Sequence, residues 1–587
     1  MRRAAALLAA GLLAAGPAAA RAAAPEDEGP AASAPRTTVT TATTTTTVPT
    51  DPNALTFPAS QTERPPGHRL TARQAIRIAG GVPKIRTALR RHPAATPDAY
   101  LKGTTRWQIS WLIPAKKGSL DRKEIAQVTI DDASGKVLEA WTGFQVAWSM
   151  ARGYPGAFGR KVSAWYVWLP LLALFLAPFF DWRRPFRMLH LDLLVLAGGL
   201  SVSWAFFAAG NIGLSVPLVY PVLLYLLVRM AMLARRREER KDPGPLRLLV
   251  PATWLAVAVV FLLAFRIGLN VTNSNVIDVG YSGVVGADRI GSGERLYGNF
   301  PADNQRGDTY GPVAYEAYVP FEQIWPWSGR WDDLPAAHGA AVAFDLLAIG
   351  LLWWLGRRLR GPTLGAALAY AWAACPFTLL TMNSNANDAL VAVLLILALL
   401  VAARPAARGA ALALAGLTKF APLALGPLFA THRRAPDRPL RLREVAAYVA
   451  GFAVAAAVAM LPVFLSGGLD VFLDRTLGFQ ETRGSPFSVW GFVGGLGTPQ
   501  AVVKGGAVAI ALAAAIVPRR RDVAGLAAAG AVVLIAVQLG VTYWFYLYVS
   551  WFLPFVFVAL LARYREPGTE PDRPPAADEP ARVPVPA

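Results

Sequence analysis

From residue 164 to residue 562 the chain alternates apolar runs of about twenty residues with short polar tracts. Each run is long enough to cross about 30 Å of hydrocarbon as a helix. The pattern predicts spans near 164–181, 188–207, 212–233, 248–267, 336–355, 362–381, 387–403, 445–465, 501–517, 523–540 and 545–562. A further apolar stretch, GAALALAGLTKFAPLALGPLFA at 409–430, is broken at LTKFAP, where Pro422 cannot donate a backbone hydrogen bond. It reads as a re-entrant pair of short helices, a form that survives where protein buries the irregular backbone. The expected fold class is therefore an α-helical polytopic membrane protein, with about eleven transmembrane helices plus a re-entrant hairpin over 160–565.

Ahead of the spans the periodicity changes. Residues 1–24 combine a basic start, an apolar stretch and small residues near Ala20, the parts of a signal peptide, with an uncleaved anchor as the alternative. Residues 25–69 include the low-complexity run TTVTTATTTTTVPTDPN, a Thr/Pro-rich linker that cannot bury a core. Residues 70–146 read as a small α+β domain. A helix in TARQAIRIAGGVPKIRTALRRH is interrupted at Gly80-Gly81, and alternation in RWQISWLIP, EIAQVTID and VLEAWTG predicts strands, the last two joined across DASGK. This pattern, above all VTIDDASGKVLEAW, resembles the PepSY domain, a module often found outside bacterial membranes. The resemblance implies binding or regulation, with a structural spacer as the other reading. The acidic, Pro-rich residues 566–587 read as a disordered cytoplasmic tail.

Composition agrees with the span pattern: 54% of residues are hydrophobic and 16% charged. The formal charge of +20 does not point to nucleic acid, because the Lys and Arg residues are concentrated in short tracts between apolar runs. With 25–160 outside the plasma membrane, DWRRPFR, RRREERKD, GRRLRG, ARPAAR, RPLRLRE, PRRRD and ARYRE must lie inside. A single crossing at 409–430 would invert everything downstream, which is the second reason to expect a hairpin there. Cys375 is the one cysteine, so neither an intrachain disulfide nor a thiolate metal site is possible. The five His are unclustered, and Asp332, Asp333 and His338 in WDDLPAAH follow no recognised ligand spacing, so no metal or cofactor is expected. GSGERLYG lacks the strand-turn-helix context of a nucleotide fingerprint.

This topology collects on the outer face a long polar stretch from about Leu269 to Pro335, NSNAND at 383–388, residues 466–491, and the aromatic turn TYWFYLYVSW at 542–551. Their order resembles glycosyltransferase family 87: VIDVGYSGVVGADRIGSGERLYG, GDTYGPVAYEAYVPFE, NSNANDALVAVLLILALL, ALAGLTKFAPLALGPL, FQETRGSPFSVWG and YWFYLYVSWFLPFVFVALL. The resemblance spans about 250–562 and implies a GT-C-like membrane enzyme that takes a sugar, often mannose, from a polyprenyl-phosphate-linked donor. It implies a glycolipid, polysaccharide or protein acceptor, membrane lipids as surroundings and no nucleic acid partner. Two departures concern the acceptor: DTYGPVAYE stands where an aromatic-Pro-Pro stretch is usual, and further spans and the PepSY-like domain precede the core.

Family members usually carry an acidic residue soon after a transmembrane helix, and Asp278 is the match, implying a general base. The chemistry supplies its own reason, since transfer from a lipid phosphate needs a base for the acceptor hydroxyl, an in-line geometry and positive charge at the departing phosphate. A helix-end Asp that merely caps or is solvated is the plain alternative. Asp308 and Tyr310 in RGDTYGP are candidates for orienting sugar hydroxyls, Asp308 alternatively a turn former. Arg483, with Gln480, is the candidate for phosphate, because a guanidinium forks onto phosphate oxygens. Arg266 either shares that role or snorkels to headgroups. Lys419 either pairs with Asp345 or faces the donor phosphate. Asn387 and Asp388, beside Asn383 and Asn385, bind sugar or cap a helix, and Tyr543, Trp544 and Tyr546 stack on substrate or form an interfacial belt. Asp288 next to Arg289 reads equally as an ion pair. A flippase of lipid-linked sugars and a PepSY-coupled sensor are the rival readings. Against the first, no internal repeat of broken helices is visible. Against the second, a relay has no use for so long a polar loop.

Overall fold

A computed structural model describes residues 55–114, 122–153, 158–235, 244–432, 440–465, 468–517 and 522–568. The expected signal peptide, most of the linker and nearly all of the tail lie outside the described residues.

The N-terminal domain is an antiparallel meander of β1 (Leu55–Thr56), β2 (Thr96–Lys102), β3 (Arg106–Pro114), β4 (Arg122–Asp131) and β5 (Val137–Thr142), in that spatial order. Two helices, α1 (Ala72–Gly80) and α2 (Pro83–Arg91), are separated at the expected glycine pair. Thr71 and Gln74 form a reciprocal capping box at the start of α1, satisfying two otherwise orphaned N–H groups. Ala72, Ala75 and Ala79 then face Trp107, Ile109, Val128 and Ile130 in a separate core. The buried Asp132 carboxylate ties the helical entry to the sheet, accepting from Arg69 N, Leu70 N and the Trp107 indole at 2.7–3.1 Å. Strand β2 was not expected. Its sequence TPDAYLK carries Pro and Asp near its start, residues poor in strand propensity, and pairing over its whole length with Arg106–Leu112 of β3 decides its state.

Among the described residues of the membrane portion, six helices are long and apolar enough to cross: Met188–Ala208, Ile212–Arg235, Ala252–Thr272, Pro335–Arg360, Leu442–Ala459 and Val523–Gly540. The bent pair Pro362–Ala374 and Pro376–Asn383, angled by 58°, makes a seventh if it is one span. Of the remaining expected spans, Trp165–Phe179, Asp388–Leu400 and Tyr546–Leu561 are shorter apolar helices. In chain order these helices are named α3 (Trp165–Leu176), α4 (Met188–Ala208), α5 (Ile212–Arg235), α6 (Ala252–Thr272), α7 (Asp278–Gly291), α8 (Pro335–Arg360), α9 (Pro362–Ala374), α10 (Pro376–Asn383), α11 (Asp388–Leu400), α12 (Pro405–Thr418), α13 (Leu442–Ala459), α14 (Gly497–Ala514), α15 (Val523–Gly540) and α16 (Val549–Leu561). Helices α9, α11, α15 and α16 are buried nearly all round, whereas α6 and α13 expose large apolar side chains such as Phe261 and Val454. That division is the one a bundle with a lipid-facing rim requires.

The break at LTKFAP is where the sequence puts it. Helix α12 stops at Thr418, Lys419 is extended, and the chain continues as a 3₁₀ turn at Ala421–Leu425 and a short helix at Gly426–Thr431. Arg408, near the start of α12, reaches the carbonyl of Ala430 at 3.5 Å, so the segment returns toward its point of entry.

Buried ion pairs tie neighbouring helices of the bundle together. Asp192 on α4 accepts from Arg229 at 2.7 Å and from the Tyr225 hydroxyl at 2.8 Å, both on α5. Arg266 of α6 forks onto Asp345 of α8 at 2.9 and 2.5 Å, and the Trp372 indole donates to the same carboxylate at 2.8 Å. Arg266 is fully buried and therefore neither snorkels nor reaches a donor phosphate, and Asp345 is not the partner of Lys419. The pair satisfies both charges internally, the condition for tolerating them at this depth.

Candidate active site

The long polar stretch after α6 is not a loop throughout, because Asp278 begins the buried helix α7. Its glycines lower helix propensity, and Gly280, Gly283 and Gly286 stand where a larger residue would collide. A Cβ at Gly280 would lie 2.1 Å from the Asn385 carbonyl oxygen, and one at Gly286 would lie 2.3 Å from the Tyr315 ring. Backbone bonds from Asn275 N to Asn383 O and from Ile277 N to Ser384 O, each 3.2 Å, lace the entry to α7 against the end of α10. Asp278 is thereby fixed beside the N-terminus of α11. As the first residue of its own helix it is favoured by the helix dipole. Among the described residues its half-buried carboxylate has no hydrogen bond or ion pair.

Around it the structure gathers Tyr310, Asp388, Lys419, Arg483 and Tyr543. The Arg483 guanidinium lies 3.6 Å from the centre of the Tyr543 ring and 5.5 Å from that of Phe479. Among the described residues it has no carboxylate partner. Burial works against its charge, but Tyr543, Tyr310, Tyr548 and the Asp278 carboxylate together more than offset that, and the guanidinium is held cationic. Burial also pushes the Tyr543 hydroxyl up to about 12, with Arg483 opposing and Asp278 adding to the shift. Burial followed by Asp278 raises that of Tyr310.

Lys419, at the tip of the hairpin and only 7% exposed, donates to Asp388 at 2.8 Å. It sits among the rings of Tyr310, Trp551 and Tyr548, with ring centres 5.1, 5.4 and 5.6 Å from Nζ. The tip reaches this position because Gly311 has no side chain, as a Cβ there would lie 2.0 Å from the Leu417 carbonyl oxygen. The Trp551 indole donates to the same Asp388 oxygen at 2.9 Å, while the second carboxylate oxygen is buried and unpartnered among the described residues. Both amide atoms of the buried Asn387 are unpartnered as well. Unpaired buried polar atoms are costly, and a group of them in one place is a reason to look for a ligand.

The other expected site residues divide. Asp308 is fully buried and braces the fold, accepting from Gly298 N and Arg475 Nε at 2.7 Å each. Gln480 is exposed. Trp544 is turned into the protein, its indole donating to Gln538 at 3.0 Å, and the Tyr546 hydroxyl meets Ser203 at 2.5 Å. Neither ring is available to a substrate. Asn385 is a structural tie, with positive φ and bonds to Asn270, Ser274 and Asn275. Asp288 pairs with Arg289 at 3.8 Å. Tyr548 and Trp551 join the site without a specific mark in the sequence beyond their three-residue spacing, and their rings stack at 4.2 Å.

The N-terminal domain reaches this site. Trp148, just beyond its sheet, packs on Tyr543 and Phe487 with ring centres 5.8 and 5.0 Å apart.

The model of glycosyltransferase family 87 matches residues 309–542. That stretch holds Tyr310, Asn387, Asp388, Lys419 and Arg483 and supports a glycosyltransferase within a multi-pass helical protein; Asp278 lies upstream of it and Tyr543 just beyond it. No curated protein and no solved structure matches the chain.

Proposed function

We propose that the protein is an integral-membrane glycosyltransferase that moves a sugar, mannose by family resemblance, from a polyprenyl-phosphate-linked donor to a cell-envelope acceptor. Transfer takes place on the outer face of a plasma membrane crossed by about eleven helices, beside a PepSY-like domain that engages the acceptor or regulates access. One observation carries this reading: a carboxylate and a guanidinium, neither with an ionic partner among the described residues, share a site with the caged Lys419–Asp388 pair.

In the proposed step the acceptor hydroxyl attacks the anomeric carbon as the bond from that carbon to the phosphate oxygen breaks. Asp278 takes the hydroxyl proton. The electron pair leaves with the phosphate, whose growing charge is met by Arg483 and, behind it, by Lys419. A single displacement of this kind inverts the anomeric configuration. Tyr543 packs against the planar guanidinium and holds it in place, and Asn387 supplies both a donor and an acceptor for sugar hydroxyls. The test is transfer from a polyprenyl-phospho-sugar by the purified chain. Asp278→Asn lowers turnover by about 10²–10⁴-fold with donor binding retained; normal turnover in that variant removes Asp278 from the mechanism.

A further inference from the structure

A second site adjoins this cluster without sharing its residues. A cavity of about 1500 Å³ opens between α3, α4 and α5, lined almost wholly by residues 150–225 and thus outside the stretch that matches the family. It exceeds the roughly 300–1,000 Å³ typical of pockets for compact small molecules. Along α4 its lining runs from Leu194 to Ala208, a rise of about 20 Å, against about 15 Å for the hydrocarbon of one leaflet. Its side is open to the bundle surface, with Trp165 74% and Leu194 55% exposed. The shape is that of a slot for a long chain entering laterally.

Its chemistry is asymmetric. Arg160 and Lys161 stand together at the end near the N-terminal domain, both exposed, and neither side chain has an ionic partner among the described residues. Among the described residues no carboxylate lines the cavity. Arg160 is held at φ 46°, a left-handed conformation that a side chain rarely adopts. Trp204, 2% exposed and in the lining, has an indole N–H with no acceptor among the described residues. Helix α4 changes to π-helical pairing at Leu194–Gly199, and Gly198 and Gly199 of that segment form part of the wall. Such single-turn π segments recur at functional sites.

We propose that this cavity binds a lipid phosphate monoester, its chain in the slot and its headgroup on Arg160 and Lys161. A monoester carries about −1.5 to −2 charge near neutral pH and so matches two adjacent cations, whereas a phospholipid diester brings one charge and leaves a cation unmatched. The class of ligand connects to the transfer proposed above, because that step releases a long-chain lipid phosphate; the binding itself does not depend on it. Position fits as well. Asn273, five residues before Asp278, lines the cavity mouth and accepts from Lys161 N at 3.0 Å. The cavity is thus a holding site for the spent carrier beside the site that releases it.

The test is native mass spectrometry of the full chain released from phosphatidylcholine nanodiscs doped with undecaprenyl phosphate or with phosphatidylglycerol. One undecaprenyl phosphate is expected to be retained per chain, at least ten-fold more strongly than either phospholipid. Arg160→Gln with Lys161→Gln, two exposed positions, is expected to lower retention at least ten-fold without changing the melting temperature. Gly198→Phe, which fills the slot beside the flexible Leu194 side chain, is expected to do the same with the cations intact. Equal retention of phosphatidylglycerol or phosphatidylcholine, or retention unchanged in both variants, overturns the assignment. Asp278→Asn separates the two readings, since it is expected to retain the lipid fully while losing transfer; a wild-type chain that retains the lipid but never transfers sugar sinks the enzyme and leaves the cavity.

Discussion

At the scale of single residues, charges sealed in the bundle are met in one of two ways: Arg229–Asp192, Arg266–Asp345 and Lys419–Asp388 are ion pairs, whereas the fully buried Arg408 donates to the carbonyls of Ala402 and Ala430. Arg266 and Asp345 exemplify the ion pairs. Removing one partner leaves a buried charge unmatched, so Arg266→Ala alone is expected to cost about 3–5 kcal/mol. Replacing both residues with apolar ones of similar volume is expected to recover most of that, as read from melting temperature in detergent. Glu316, half-buried in the polar segment before α8, gives a pH signature, because burial raises its carboxyl from the ordinary 4.5 to about 7. The native state therefore binds the proton more tightly than the unfolded one, so this group's contribution is intact below about pH 4.5 and is lost as pH rises through 7. Glu316→Gln is expected to raise the melting temperature at pH 8 relative to the parent and to leave it nearly unchanged at pH 4.5. Residue types were legible at this scale but partners were not. Lys419 and Asp345 stood out as intramembrane charges, yet each is paired with a residue that hydropathy could not assign, across 31 positions to Asp388 and 79 to Arg266.

At the scale of elements, periodicity located nearly every apolar helix, the α1–α2 interruption and the break at Lys419, because each rests on a local signal such as a glycine pair or a proline. It failed where tertiary contact overrules propensity. The glycines of α7 read as loop, and only the surfaces of Tyr315, Tyr318 and Asn385 pressed against them explain why the segment is helical. Strand β2 was lost for the matching reason, its pairing with β3 being long-range information. The hairpin is the element with the sharpest consequence. A tag placed after Leu440 is expected to be shielded from membrane-impermeant reagents in intact cells while one beside Gly484 is labelled; labelling of both from the same side removes the hairpin reading.

At the scale of the molecule, the parts converge on one end of the bundle. The N-terminus of α7, the start of α11, the hairpin tip, the loop carrying Arg483 and the turn carrying Tyr543 arrive from distant stretches of sequence, and the N-terminal domain touches them through Trp148. The order of motifs indicates that these stretches belong together, while the choice between Tyr543, which faces the cluster, and Trp544, which faces the core, is made by tertiary packing. The central claim is spatial: a lipid-linked sugar settles with its phosphate on Arg483 and its anomeric carbon facing Asp278. The most direct test is an experimental map of the protein with a non-transferable phosphonate analogue of a polyprenyl-phospho-sugar. The account predicts the phosphonate oxygens on the Arg483 guanidinium and room for one acceptor hydroxyl between Asp278 and the sugar. A phosphonate bound elsewhere, with Asp278 turned toward bulk water, contradicts it.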